Sequence, residues 1–380
     1  MSAFNGLISG PQTFFSRLRG GVDWVILTLA FGLMVLGAIN LDSATGGQFG
    51  APVRGQLAFM GIGFLAMGVA AAIDYRVYYR AAYPIYGIGV GLVFLVLVVG
   101  TTINSATRWL NLGLFMFQPS ELVKLVVVIG LARYLQDIGP NQYVGGTGRG
   151  LRRLFVPLVM AAVPAVFVLK QPDLSTSIVL MLIVGAMLSV FELRLRGVLG
   201  GIFGGLIGFV VAWRFVLAEY QKERINVWLD PEAYPDAGGY QILQARTAVG
   251  NGGILGRGVG QGTQNLLDFV PYKASDFSFA VYAEEWGFVG SLMLIGLFVV
   301  LVLWGINLAS QARDRFAAAL CVGISSMMFW HAVLNMGVVL EFFPNTGLPL
   351  PFFSQGGSNV LTMMVALGVL TSVSRSRKWR

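Results

Sequence analysis

Long apolar runs separated by short polar connections dominate this chain. Most runs are 17 to 25 residues long, and a helix of that length crosses the roughly 30 Å of bilayer hydrocarbon at about 1.5 Å per residue. Membrane strands would need an alternation of polar and apolar positions that these runs lack. The pattern predicts an all-α membrane protein with one domain (1–380), a polytopic bundle of ten transmembrane helices. The predicted spans are residues 23–41, 57–74, 82–100, 118–136, 154–170, 175–192, 197–217, 277–307, 316–340 and 358–374.

The largest polar segment, residues 218–275, lies between the seventh and eighth predicted spans. It predicts a large loop on one side of the membrane. The end of this segment is rich in glycine and brings one carboxylate, Asp276, to the edge of the eighth span. That span is longer than a bilayer requires, and we expect it to tilt or protrude. If the protein catalyses a reaction, Asp276 is the first candidate for the catalytic group.

Composition supports a membrane location. Of the 380 residues, 56% are hydrophobic and only 12% are charged, and the mean hydropathy is +0.73. Too few polar side chains are present to cover a soluble globule. The single cysteine, Cys321, lies in an apolar run, which excludes an internal disulfide and a multi-cysteine metal site. The single histidine, His331, also lies in a span and is interpreted as a packed or hydrogen-bonded helix residue.

The net charge of +8 would suit a nucleic-acid partner, but the distribution of Lys and Arg indicates membrane topology instead. With the N-terminus in the cytoplasm, sixteen of these residues fall in cytoplasmic segments and eight in outward segments, as the positive-inside rule requires. An even number of spans then places both termini in the cytoplasm and the loop 218–275 outside. The outward cations are placed to meet an anion; they are Arg54, Arg108, Lys170, Lys222, Arg224, Arg246, Arg257 and Lys273.

Two opposite charges lie within the fourth predicted span. Glu121 and Lys124 are three residues apart, so they project from nearly the same face of a helix. One interpretation is a pair that holds the bundle together. The other is a pair that lines a polar cavity and positions a ligand or an ion. The second is favoured because charge at membrane depth costs several kcal/mol and usually faces a pathway.

Two aspartates precede spans and admit two roles each. Asp173 follows Pro172 in a short outward turn, so it is either the N-cap of the sixth span or a second carboxylate facing the cavity. Asp276 is either a cap of the eighth span or a catalytic group. Glu284 lies about 80° around that helix and roughly 12 Å deeper, and Glu285 lies almost opposite. At most one of these two glutamates is therefore expected to share the cavity of Asp276.

Residues 347–358 contain too much proline and glycine for a regular helix. Such backbone is tolerated at membrane depth only when it is buried in protein or lines water, so it forms either a re-entrant plug or a substrate wall. The sequence has no Walker loop, dinucleotide fingerprint, HExxH motif or Ser/His/Asp set. Aromatic and basic residues are not arranged for nucleic acid either.

Five motifs occur in order: RWLNLGLFMFQPSELVK from Arg108, KQPDLSTS from Lys170, LDPEAYPDAGGYQILQA from Leu229, DFSFAVYAEEWGFVGS from Asp276 and GLPLPFFSQGGSN from Gly347. Together they resemble the SEDS family (FtsW, RodA, SpoVE) of cell-wall polymerases over nearly the whole chain. The stretch GTQNLLDFVP and the short tails are more similar to RodA, the elongation member, than to FtsW, the division member. The chain departs from the family pattern in PYKASD, where the family usually has P-E-x-H-T-D, and in SQGGS, where it usually has S-Y-G-G-S.

The resemblance implies a ten-helix peptidoglycan glycosyltransferase that polymerises lipid II into β-1,4 glycan strands on the outer face of the bacterial cytoplasmic (inner) membrane. It implies a class B penicillin-binding protein (a transpeptidase) and other elongation-complex proteins as partners, and no nucleic acid. The essential acidic residue of the family corresponds to Asp276. Its cavity and substrate-lining positions correspond to Glu121, Lys124, Asp173, Arg108, Arg54, Gln221 and Arg224.

The implied chemistry suits these residue types. Asp276 would act as the general base when the GlcNAc 4-hydroxyl of the acceptor attacks MurNAc C1 of the donor with inversion. Arginine forks suit the leaving undecaprenyl pyrophosphate. A divalent cation, Mg²⁺ or Mn²⁺, is compatible with this chemistry, although no pattern specifies its ligands. Two rival hypotheses are a lipid II flippase or transporter, which would also need a polar cavity and broken helices, and a non-catalytic scaffold for a transpeptidase.

Overall fold

The computed structural model describes residues 23–103, 106–111, 113, 115–138, 149–191, 214 and 219–377. Most of this part of the chain is helical, and six of its helices are long and apolar enough to cross a bilayer. In chain order the elements are α1 (Trp24–Ala44), α2 (Ala51–Ala72), α3 (Tyr75–Val99), β1 (Thr101–Ile103), β2 (Ala106–Asn111), β3 (Met116–Phe117), α4 (Pro119–Ile138), α5 (Arg149–Lys170), α6 (Leu174–Phe191), α7 (Glu219–Leu229), α8 (Tyr240–Gly252), α9 (Thr263–Leu266), α10 (Ser278–Ser310), α11 (Arg315–Val339) and α12 (Gly357–Arg377).

Nine of the ten predicted spans coincide with described helices. The seventh, 197–217, lies outside the described residues apart from Arg214, so the count of ten stays a prediction. The helix α3 begins seven residues before its predicted span. Its first turn is too polar for a hydropathy signal, but Asp74 caps it by accepting a hydrogen bond from the Arg76 N–H at 2.9 Å.

The helices α11 and α12 are the most buried of the long helices. The helix α11 packs against α4, α6 and α10, whereas α12 packs along α2. The helices α1 to α3 and α10 expose many large apolar side chains, as lipid-facing helices do. Asp23, just before α1, accepts hydrogen bonds from Trp304 Nε1 at 3.1 Å and Ser374 Oγ at 2.6 Å. The start of α1 and the end of α12 therefore lie at the same end of the bundle.

A small antiparallel sheet lies between α3 and α4, and the all-α prediction missed it. The strand β2 pairs with β1 on one side and with β3 on the other, with Leu110 opposite Phe117. Its strands contain two to six residues, too few to produce a recognisable alternation. The sheet matters for the site because β2 carries Arg108.

The helix α10 is broken at Gly287, whose φ of 66° lies in the left-handed region that glycine adopts without strain. The glycine-rich stretch after α8 packs into this break. The N–H groups of Arg257 and Gly258 donate to the carbonyl oxygens of Glu284 and Glu285 at 3.0 and 2.9 Å. This stretch therefore supplies the partners that a continuous helix would provide internally. The expectation of a tilted or protruding helix did not include this break.

Candidate active site

A cleft of about 710 Å³ opens where β2, the first turns of α4 and α6, the α7–α8 region and the segment before α12 meet. Its lining is largely polar. Five of the eight predicted site residues lie in this lining, each on a different segment of the chain: Arg108, Glu121, Asp173, Arg224 and Asp276. The fold therefore brings together charged side chains that are up to 168 residues apart (276 − 108) in sequence.

Asp276 lies in the turn before α10 and faces the cleft, where it is half-buried. The N-cap of α10 is Phe277, and no side chain caps the helix there. The preceding residue, Ser275, does not cap this helix either, and its hydroxyl donates to the carbonyl oxygen of Tyr272 at 3.4 Å. The interpretation of Asp276 as a helix cap is therefore wrong, and its carboxylate is left to face the cleft.

The backbone around Asp276 is held from two sides. Asn335 Nδ2, on α11, donates to the carbonyl oxygens of Asp276 at 2.9 Å and of Leu348 at 2.7 Å. Gly347 has a φ of 64°, and a Cβ at this position would lie 3.4 Å from Asp276 Oδ2. The segment before α12 thus approaches the carboxylate at a point where glycine is favoured. Asn335 was not predicted from the sequence, where the available signal was an amide side chain within an apolar span.

We expect Asn335→Ala to destabilise the protein by about 1–3 kcal/mol, because the change leaves two carbonyl groups without their amide donor. Thermal unfolding in detergent measures the effect. Asn307→Ala is the matched control, since the Asn307 side chain accepts a hydrogen bond from Gln311 at an exposed helix end and its loss is expected to cost within about 0.5 kcal/mol. Equal melting temperatures for the two variants would contradict the assigned role of Asn335.

The surroundings of Asp276 alter its acidity. Burial raises the pKa of its carboxyl group above the ordinary value for aspartate, and this effect outweighs three others that lower the pKa. They are a hydrogen bond with Ser275 and the positive charges of Arg224 and Arg108. A carboxylate with a raised pKa is a stronger base, and the same arginines present positive charge to an anion.

Arg108 is anchored to the turn between α5 and α6. Its Nε donates to the carbonyl oxygen of Gln171 at 3.0 Å, and a terminal guanidinium nitrogen donates to that of Pro172. In the same turn Asp173 accepts hydrogen bonds from the Thr176 N–H at 3.1 Å and hydroxyl at 3.0 Å. Asp173 is therefore both the cap of α6 and part of the cleft lining, and the two interpretations drawn from the sequence hold together.

The predicted pair Glu121–Lys124 forms at the base of the cleft. Lys124 Nζ lies 2.9 Å from Glu121 Oε1 and 2.7 Å from His331 Nε2. Asn359 Nδ2 donates to the other Glu121 oxygen at 2.6 Å. Glu121 reaches the lining, whereas the Lys124 side chain is 0% exposed. The pair thus joins α4 to α11 and α12 beneath the cleft, and the interpretation of His331 as a hydrogen-bonded helix residue is confirmed.

Of the three remaining predicted site residues, one lines the cleft and two do not. Arg224, on α7, donates to the carbonyl oxygen of Asn345 at 3.3 Å and lines the cleft. Gln221 is buried on the same helix, and Arg54 is exposed on α2. Neither is among the described residues that line the cleft. The structure therefore separates Arg54 and Gln221 from the cleft lining.

The cleft lining also contains neutral polar residues that were not predicted as site residues from the sequence. They include Gln118, Thr176, Gln241, Asn345, Gln355, Ser358 and Asn359. Five of these residues lie within the motifs that begin at Arg108, Lys170 and Gly347, which was the available signal. The segment 347–358 forms one wall of the cleft and also buries Leu350 and Phe352, so this irregular backbone is partly buried in protein and partly lines the cleft.

The two glutamates of α10 have a separate role. Glu284 accepts hydrogen bonds from the Gln264 N–H at 3.0 Å and the Thr263 hydroxyl at 3.1 Å, at the start of α9. Glu285 accepts one from Asn265 Nδ2 at 3.0 Å. Neither glutamate is among the described residues of the cleft lining. Both anchor the end of the large loop to α10, which agrees with the expectation that at most one would share the cavity of Asp276.

The described residues contain no group of three or more His, Cys, Asp or Glu side chains that could hold a metal ion. The cleft carboxylates Glu121, Asp173 and Asp276 belong to different segments and are engaged differently. These residues do not fit a divalent ion held by protein ligands alone, so no step of the chemistry is assigned to one.

Comparisons with known proteins agree along nearly the whole chain. A family model described as "Cell cycle protein" and named for FtsW, RodA and SpoVE matches residues 22–379. Peptidoglycan glycosyltransferase MrdB of Escherichia coli (strain K12) is 35% identical over 375 residues, which cover 97% of this chain and 96% of that protein. Stage V sporulation protein E of Bacillus subtilis (strain 168) is 36% identical over 334 residues, which cover 85% and 87%.

Solved structures share the fold. The crystal structure of Rod shape determining protein RodA from Thermus thermophilus matches with a TM-score of 0.70 and 28% identity, over 94% of this chain and 98% of that chain. A chain from a structure described as "Structural coordination of polymerization and crosslinking by a peptidoglycan synthase complex" matches with a TM-score of 0.81 and 31% identity, over 94% and 99%. The fold and cleft define a multi-pass membrane protein with a charged cleft at one end of its helices. The chain belongs to the FtsW, RodA and SpoVE family, which confirms the resemblance drawn from its motifs.

Proposed function

We propose that this protein is a peptidoglycan glycosyltransferase that polymerises lipid II into β-1,4 glycan strands. The observation that carries the proposal is Asp276: its carboxylate caps no helix, has a raised pKa and lines a cleft together with Arg108 and Arg224. The relatives named as peptidoglycan glycosyltransferases support the reaction class.

The proposed reaction is a single displacement. Asp276 takes the proton of the GlcNAc 4-hydroxyl on the acceptor as that oxygen attacks C1 of the donor MurNAc. The new C1–O bond forms while the bond from C1 to the pyrophosphate oxygen breaks, so the configuration at C1 inverts and undecaprenyl pyrophosphate departs. Arg108 and Arg224 stabilise the negative charge of the leaving group. Asp173 and Glu121 shape the cleft beside these groups, and Lys124 neutralises Glu121 from below.

The proposal extends to the setting of the reaction. We place ten spans in the bacterial cytoplasmic membrane, with both termini in the cytoplasm and the cleft on the outer side. This orientation puts the excess of Lys and Arg in the cytoplasm, as the positive-inside rule requires. A role in elongation with a class B penicillin-binding protein follows from the RodA-like motifs. The similarity to a chain of a peptidoglycan synthase complex that combines polymerization and crosslinking supports such a partner.

Purified protein supplied with lipid II tests the reaction, with and without the transpeptidase, by gel or mass analysis of glycan products. Polymer formation supports the proposal. A parallel assay in sealed vesicles measures whether lipid II crosses the bilayer. Translocation without polymerisation would favour a transporter, and the absence of both activities, with stimulation of transpeptidase crosslinking, would favour a scaffold.

The proposed base predicts a pH dependence. Because Asp276 must be ionised, the polymerisation rate is expected to fall as the pH decreases through its raised pKa, at a higher pH than for an ordinary aspartate. Arg224→Gln removes a charge that lowers this pKa, so the acidic limb of the pH–rate profile should move to still higher pH. Arg246→Gln is the control, since Arg246 faces Glu232 and Glu341 at 3.9 and 3.7 Å. An unmoved limb in Arg224→Gln would contradict the assignment.

A further inference from the structure

A second cavity, of about 690 Å³, lies between α1 and α2. Its walls are almost entirely apolar and include the rings of Phe31 and Phe64, whose centroids are 6.3 Å apart. Asp42, Ser43 and Gly260 form a polar rim at one end. This α1/α2 groove shares no described lining residue with the cleft that contains Asp276. It is a separate concave surface on two helices that expose many large apolar side chains.

The length of the groove matches one leaflet of a bilayer. On α1 its lining extends from Phe31 to Ser43, about 18 Å at 1.5 Å per residue. Half of the hydrocarbon thickness is about 15 Å. The rim lies at the end of α1 opposite Asp23, on the same side as the large loop that supplies Gly260. The groove therefore extends from the membrane surface on that side to about the middle of the bilayer.

A cation is placed at the outer end of the groove. Arg54 lies in the first turn of α2, is exposed, and forms no ion pair with the described residues. It precedes the groove residues Leu57, Gly61 and Phe64 by three, seven and ten positions, so all four share one face of α2. The one acidic side chain of the described rim, Asp42, accepts a hydrogen bond from the Phe49 N–H at 2.8 Å, which directs it into its own loop.

We propose that the α1/α2 groove binds a glycerophospholipid, with one acyl chain between the helices and the phosphate beside Arg54. The phosphate provides the negatively charged partner that Arg54 does not have among the described residues. Guanidinium groups also suit phosphate oxygens. An acyl chain ends near the middle of the bilayer, as the groove does, whereas a long polyprenyl chain would extend past it. Charge complementarity and length thus select the same occupant.

The bound lipid would also affect the cleft through α2. On another face of α2, Gln56 Nε2 donates to the carbonyl oxygen of Ser354 at 3.1 Å, and Gln56 Oε1 accepts from the Gly356 N–H at 3.1 Å. Ser354 and Gly356 belong to the segment that forms a wall of the cleft. A lipid that restricts the motion of α2 would therefore also restrict the motion of this wall. The lipid site itself does not depend on the proposed reaction.

Native mass spectrometry of the purified, delipidated full-length chain titrated with phosphatidylglycerol tests the proposal. Gly61→Leu places an apolar side chain in the groove at a position where a Cβ has no atom within 4 Å, and it should weaken binding about tenfold. Arg54→Gln should weaken binding about fivefold. The controls Gly68→Leu, also with free space around its Cβ, and Arg80→Gln, an exposed arginine near the opposite end of the bundle, should bind as the wild type does.

Ala38→Leu fills the groove from the α1 side and is the second variant should Gly61→Leu lose its helical circular dichroism. Reduced phosphatidylglycerol binding by Gly61→Leu and Ala38→Leu, with both controls unchanged, supports the proposal. Wild-type affinity in both Gly61→Leu and Ala38→Leu overturns it. Displacement of phosphatidylglycerol by an equal concentration of undecaprenyl phosphate would overturn the assigned occupant, because the groove would then prefer a polyprenyl chain.

Discussion

Replacing Asp276 with asparagine is expected to reduce glycan polymerisation from lipid II by about 10²- to 10⁴-fold, the range that a general base contributes. Asparagine keeps the size and the hydrogen-bonding reach of the side chain but cannot take a proton from the acceptor hydroxyl. Because the Asp276 carboxylate caps no helix, the fold should tolerate the change. The measurement is the initial rate of polymer formation by purified protein, with unfolding in detergent followed in parallel.

Asp236→Asn is the matched control for this experiment. Asp236 lines the same cleft, so the control tests whether any loss of negative charge there lowers the rate. The expected result is a rate near that of the wild type. Polymerisation at a normal rate by Asp276→Asn would show that Asp276 is not the base. Equal losses in the two variants would indicate that the cleft requires negative charge in general rather than a base at one position.

The second large effect concerns stability. Lys124→Met is expected to destabilise the protein by about 3–5 kcal/mol, the cost of leaving a buried carboxylate without its partner. The Lys124 and Glu121 side chains are 0% and 3% exposed and 2.9 Å apart, so little water is available to replace the lost ammonium group. Thermal or denaturant unfolding in detergent measures the change, and lipid II polymerisation should fall as the folded fraction falls.

Two further variants isolate the cause. Glu121→Gln combined with Lys124→Met removes both charges and should recover most of the stability, because no uncompensated charge is then buried. Lys222→Met breaks an ion pair of the same three-residue spacing with Glu219, but that pair is exposed and its loss should cost at most about 1 kcal/mol. If Lys124→Met were as mild as Lys222→Met, the buried pair would have no structural role.

The membrane helices could be predicted because insertion in lipid depends on the length and apolar content of one continuous segment. The helices α1 and α11 begin within one residue of their predicted spans. The start of α3 was missed because its first turn is polar and depends on the Asp74 cap. The sheet was missed because strands of two to six residues are specified by pairing with one another rather than by their own pattern.

The site residues likewise include some that could be predicted from the sequence and some that could not. Motifs and charge at membrane depth identified Glu121, Asp173 and Asp276, and all three line the cleft. The same reasoning grouped Arg54 with them, although Arg54 is not among the described residues that line the cleft. It also passed over Asn335, which holds the backbone of Asp276 from a distant helix. A side chain's type is visible in the sequence, but the direction in which it points depends on which helices pack together.

The sequence by itself determined that this protein is a helical membrane protein of the FtsW, RodA and SpoVE family, and which carboxylates and arginines are candidates for chemistry. Apolar length, charge and motif identity are local properties of the chain. Only the tertiary structure decided that Asp276 caps no helix, that Asp173 both caps α6 and lines the cleft, and that Gly287 divides α10. The cleft lining and the break in α10 depend on packing and hydrogen bonds between segments far apart in sequence, which no local pattern records.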